Sequence, residues 1–215
     1  HFASNSILRR ILSIARKLDY EGMLEEEIAE ADCPLLAAEN QALAARLPGF
    51  QRSHVIRLSF FRSAVREAPG EFFGYAVIKS DVFASERFTH VYEAVLRPPR
   101  GQAENNFCHA HRAYQVNTTL GSFAVTGTLY AQQNDATFVC AHVALRTLLA
   151  SLLPASDVTY AQINQWAGVE HSDPGRCVGG RGGVKDPNGL KPAQLETVLK
   201  EAGFEPELEV NEPDL

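Results

Sequence analysis

Residues 132–145 read Gln132-Gln133-Asn134-Asp135-Ala136-Thr137-Phe138-Val139-Cys140-Ala141-His142-Val143-Ala144-Leu145. A polar loop gives way to an apolar run that continues through Leu148-Leu149 and stops by Pro154. The apolar spacing is helical, so Cys140 is expected in the first turn of a helix, with Asp135 or Thr137 as its cap. The unpaired N–H groups and the dipole at that position favour a thiolate. Gln133 precedes the cysteine by seven positions. Its amide can fold back beside the thiol and, with the Cys140 N–H, form an oxyanion hole for a tetrahedral intermediate. Two plainer readings stand beside this one. A free cysteine is a common small apolar filler of buried helices, and a glutamine there also suits an ordinary strand end.

Downstream, Thr159-Tyr160-Ala161-Gln162 is a capping-box pattern that opens a short helix ending at Ala167-Gly168, with Trp166 in its core. A glycine-rich stretch, residues 175–189, contains Gly179-Gly180-Arg181-Gly182-Gly183. It lacks the strand–GxxxxGK[ST]–helix context of a phosphate cradle and reads as a loop bordering a cleft. Pro192 suits the first position of a third helix, residues 193–202, with Gly203 as its stop and a strand expected over 204–210. Upstream, residues 54–61, 72–82, 90–96, 110–120 and 122–131 are rich in β-branched and aromatic residues. The last two form an expected hairpin near Gly121, and their alternation implies one buried and one polar face. Before them lie an amphipathic basic helix (5–18), an acidic stretch (21–32) and an Ala-rich helix (35–47) closed by Pro48-Gly49. The expected fold class is α+β. It comprises a helical N-terminal unit (1–50), a β-rich unit (51–127) and a helical lobe (128–215).

In this order the signals resemble the papain-like cysteine peptidase superfamily, and within it the bacterial C39-like branch that includes the double-glycine leader peptidases. The resemblance is carried by Gln133-x6-Cys140-Ala141 opening an apolar helix, by the 159–167 helix, and by Gly189-Leu190-Lys191-Pro192-Ala193-Gln194-Leu195 opening the next. Leu199-Lys200-Glu201-Ala202-Gly203-Phe204 looks like that branch's lead into its next strand, and the match spans residues 128–210. Two departures stand out: the Gln-to-Cys spacing is often one residue shorter in the family, and Val139 stands where leader peptidases often have Asp. The resemblance implies the helical lobe of a papain-like fold and a thiol hydrolase that cleaves a peptide or isopeptide bond. Cys140 is then the nucleophile and Gln133 the oxyanion donor, with no cofactor or metal. It also implies a histidine on a later strand, oriented by Asp or Asn.

After Cys140 the sequence offers only His142 and His171. His142 is two residues along the same helix, about 200° round it, and points away from the thiol. His171 falls in a loop, too early for the family's histidine. The expectation is therefore that the His-bearing sheet lies beyond this sequence, or that the chain is a catalytically degenerate relative that binds protein. A Cys-dependent acyl transferase or amidase would use the same nucleophile with a different acceptor.

Composition agrees with a globular domain. The chain has 215 residues, 45% hydrophobic and 21% charged, which excludes a disordered tail, a fibre and a disulfide-dense mini-protein. A net charge of −6 disfavours a nucleic-acid binder. No apolar run reaches the ~18 residues of a membrane span, and the cations of the first helix read as a solvated face. Cys33, Cys108, Cys140 and Cys177 are widely spaced with no CxxC, as for reduced thiols in a cytoplasmic protein. His109 and His111 of Cys108-His109-Ala110-His111 share a strand face but have no matching distant pair, so polar strand residues are favoured over a metal site. The expected partner is a peptide or protein substrate, and the β-rich unit is a candidate surface for a protein partner.

Overall fold

The apolar runs of the middle of the chain form an antiparallel sheet ordered β1-β2-β3-β4, from Gly22–Glu27, Gln51–Phe61, Phe72–Phe83 and Glu86–Leu96. A separate hairpin pairs β5 (Arg112–Thr118) with β6 (Gly121–Gly127). Five α-helices complete the described elements: α1 (Ser6–Lys17), α2 (Pro34–Arg46), α3 (Cys140–Leu152), α4 (Tyr160–Trp166) and α5 (Pro192–Glu201). The computed structural model describes residues 6–46, 49–83, 85–98, 112–134, 139–153, 157–169 and 189–207. The mixed α+β architecture agrees with the sequence expectation.

Burial explains the two kinds of strand pattern. β3 is buried along nearly its whole length because both faces of the sheet are covered, and its sequence is apolar from Phe72 to Ile78 before Lys79-Ser80-Asp81 interrupts it. The hairpin strands keep one open face and alternate buried with exposed residues. Against one sheet face packs α1, through Leu8, Ile11, Ala15 and the following Leu18, on Ile56, Phe60, Phe73 and Val91. At 12 residues α1 is marginal as an isolated helix, so this contact is what holds it. Leu8, Ile11 and Ala15 commit the centre of its apolar stripe to the sheet, while Ile7 and Ile14 at its margin and the basic residues stay at least partly open.

The other face carries Val55, Tyr75, Val77, Tyr92 and Val95, packed against Leu36 of α2, the hairpin residues Tyr114, Val116 and Val125, and Ala150 of α3. One core thus draws on all three stretches that the sequence reading divides. Gly74 lies where β3 and β4 come closest. Its φ is +134°, and a Cβ there would collide with the Val95 carbonyl oxygen, so the position requires glycine. A third core joins Leu145 and Leu149 of α3, Ile163 of α4 and Val198 of α5. Trp166 packs on this helical lobe, as expected.

Two local readings change. Residues 22–27 form a strand, not merely an acidic stretch. Alternate residues face inward, and Glu26 meets Arg57 of β2 at 2.8 Å. Burial works to raise the Glu26 carboxyl, but Arg57 and the Thr119 N–H outweigh it and hold the carboxyl below its ordinary range. This edge strand is charged, as exposed edges commonly are. Residues 204–207 are irregular, not strand. No neighbouring strand among the described residues offers them a ladder, and Phe204 packs on the helical lobe instead.

Candidate thiol site

The segment after β6 delivers Gln133 to its place. Tyr130 exchanges both backbone bonds with Ala94 on the outer edge of β4, at 2.8 and 2.9 Å. Gln132 then grips β4 twice: its N–H donates to the Val91 carbonyl at 2.9 Å, and its side-chain Oε1 accepts from the Val91 N–H at 3.0 Å. The side-chain oxygen supplies a bond that a strand backbone would otherwise make. Gln133 is the next residue, and its direction is set by that clamp.

Cys140 is the first residue of α3 and is exposed. Its thiol donates to Oε1 of Gln133. The residue before it, Val139, takes the N-cap position at φ −108°, ψ 18° and has no side chain to cap the helix. The first N–H groups of a helix lack intrahelical partners, and Cys140 stands at the first helical position among them. The two residues singled out in the sequence are thus brought together. The expected caps, Asp135 and Thr137, lie outside the described residues.

Six residues along α3, Arg146 is buried, with a side chain 3% exposed. It donates to Glu93 Oε2 at 2.7 Å, and its guanidinium lies over the rings of Tyr92 and Tyr160. The other Glu93 oxygen accepts from Tyr75 OH at 3.0 Å. Arg146 therefore pins α3 to β4, the strand that also holds Gln132, so both halves of the thiol site share one support. Neither anchor is singled out by motif. The available signal was a lone arginine in an apolar helix and a glutamate within the apolar second half of a strand, each needing a partner when buried.

His142 is buried against α4. Its Nε2 is 2.6 Å from Asn164 Oδ1, and its ring meets Tyr160 edge-on. It is turned away from the thiol, as helix geometry requires. His171 lies outside the described residues, as do Cys108, His109, His111, Cys177 and Gly179 to Gly183. Among the described residues no group of three or more His, Cys, Asp or Glu is placed to hold a metal ion. Among them, too, no helix is long and apolar enough to cross a membrane.

A second set of charges lies on the sheet face beneath α2. Lys79 and Asp81 form a pair at 2.9 Å, with side chains 2% and 4% exposed. His90 stands opposite Lys79 in the β3–β4 ladder, and its Nδ1 is buried with no hydrogen-bond partner among the described residues. Burial pulls His90 down to about 4 from 6.5, with Asp81 opposing. Burial pushes Glu39 up to about 7 from 4.5, with Arg146 and Lys79 opposing. These shifts give opposite pH slopes. From pH 4.5 to 7 the folded chain keeps a Glu39 proton that the unfolded chain has lost, so this term lowers stability as pH rises. From pH 4 to 6.5 the unfolded chain takes a His90 proton that the folded chain refuses, so this term raises stability with pH. Glu39→Gln removes the first term. Its urea midpoint is expected to climb between about pH 5 and 6.5 more steeply than that of the wild type. Parallel profiles would refute the Glu39 assignment.

Comparison of the chain with protein-family models, with curated proteins and with solved structures found no match.

Proposed function

We propose that the chain carries the nucleophile and oxyanion elements of a papain-like thiol hydrolase that cleaves a peptide or isopeptide bond. One observation carries the reading: a side-chain amide, clamped to a sheet edge through its neighbour, is held on a cysteine thiol at the start of a 13-residue helix. The Cys140 sulfur attacks the carbonyl carbon. The oxygen that becomes negative is received by the Cys140 N–H and the Gln133 amide. The thiol donates to Oε1, which suits the protonated sulfur. A half-turn of the amide presents Nε2–H to a thiolate or to the oxyanion. The order of α3, α4 and α5 around one apolar core also supports a papain-like helical lobe. The proton shuttle of such an enzyme is a separate histidine, since His142 lies two residues along the same helix and about 200° round it from Cys140.

The direct test is alkylation by iodoacetamide at neutral pH with peptide mapping. Cys140 is expected to react faster than a model thiol such as N-acetylcysteine, and an equal or slower rate would reject an activated nucleophile. A second reading, a protein-binding relative without catalysis, also has an observation in its favour. Ala144, Leu148 and Leu152 continue from Cys140 at helical spacing and leave an exposed apolar stripe on α3. An acyl transferase or amidase uses the same two residues and differs only in the acceptor that resolves the acyl-enzyme.

A further inference from the structure

A cavity of about 510 Å³ lies between α1 and the outer edge of β4. Its size falls within the roughly 300–1,000 Å³ typical of small-molecule sites. Ile7 and Ile14 of α1 form one wall; Leu96 and the edge residue Tyr130 form the other. Such walls offer a ligand apolar contact and few hydrogen bonds. The polar side chains that remain are two arginines, Thr128 and Tyr130, and none is acidic. Arg10 is exposed and lines the cavity, and α1 contains no acidic residue to neutralise it. Arg97 lines the other side. One of its Nη groups is taken by Glu71 and its plane lies over Phe73, but its Nε is buried with no hydrogen-bond partner among the described residues. Tyr130 lines the same cavity as Arg10, with a partly exposed phenol whose ionisation burial resists and that cation favours.

We infer that this cavity binds a single-chain amphiphile with a carboxylate head, its tail between α1 and the β4 edge and its head at Arg10 and the Tyr130 hydroxyl. The charge of the rim selects the head: an anion gains a charge-assisted bond from Arg10, whereas a cation meets Arg10 and Arg97 together. The apolar walls of Ile7, Ile14 and Leu96 receive the tail, and the inference is independent of any role for Cys140.

The test is fluorescence titration of the full chain with dansylaminoundecanoate and with its uncharged methyl ester. The acid is expected to bind saturably at one site. Arg10→Ala, an exposed change that leaves the core intact, and the ester are each expected to weaken binding by about tenfold or more. Ile14→Trp, which fills the cavity, is expected to remove saturable binding while the far-ultraviolet circular dichroism is unchanged. Four results overturn the inference. The wild type shows no saturable binding. The Ile14→Trp variant folds and binds as well as wild type. The ester equals the acid and Arg10→Ala has no effect. Binding appears only when residues 1–5 are deleted, which makes the chain's own start the occupant.

Discussion

Replacing Gln133 by alanine is expected to slow acylation of Cys140 by a p-nitrophenyl ester about 10²–10³-fold, while alkylation by iodoacetamide stays within about threefold of wild type. The two reagents separate two jobs. Displacement of iodide passes through no tetrahedral oxyanion, so it reads the availability of the sulfur alone. Attack on the ester carbonyl builds a negative oxygen that needs donors, and p-nitrophenolate leaves without being protonated. The assay thus reports nucleophile and oxyanion hole without a general acid. Gln132→Leu tests the clamp. It keeps the Gln132 N–H bond to Val91 but removes the side-chain acceptor, so the Gln133 amide loses part of its positioning. Misplacement on the order of an ångström costs up to about 10²-fold, so its effect is expected to lie between wild type and Gln133→Ala. Equal slowing with both reagents would mean that Gln133 governs the sulfur itself. No slowing with the ester would remove it from the site.

What could be read without coordinates followed from periodicity and local capping. Thr159 Oγ1 accepts from the Gln162 N–H at 3.0 Å, as the Thr-x-x-Gln pattern implies, and Pro192 opens α5 as its position suggests. Gly203, at φ +88°, ends α5 where a left-handed residue was expected. The meeting of Gln133 and Cys140 was legible because the two lie only seven positions apart, one of them at a helix start. The strand at Gly22–Glu27 was not, because three successive glutamates carry no strand propensity; its reason for being a strand is Arg57, some thirty residues away, and the open edge of β2. Gln132 is the same kind of case. A glutamine that imitates a backbone acceptor is visible only once β4 lies beside it. The charge set of Lys79, Asp81 and His90 was hidden for a related reason, since each residue looks like an ordinary polar strand position until both sheet faces prove to be covered.

The largest stability effect is expected at Arg146. Arg146→Ala should lower the free energy of unfolding by about 3–5 kcal/mol in urea titration, because Glu93, 20% exposed, is left inside without its cation. Arg146→Met with Glu93→Gln should recover much of that loss: the thioether chain restores apolar volume, and the amide oxygen introduced on β4 can still accept from Tyr75. If the double variant is no more stable than Arg146→Ala, the cost came from lost packing on Tyr92 and Tyr160 rather than from a stranded carboxylate. The pair also fixes α3 on β4, so the two roles divide in the ester assay. At temperatures where both variants are folded, each should acylate Cys140 more slowly than wild type, because no charged bond now sets the helix against the strand that holds Gln132. A double variant that regains stability but not the acylation rate would identify the Arg146–Glu93 bond as the positioning contact of the thiol site. Recovery of both would make it a core contact that packing alone can replace.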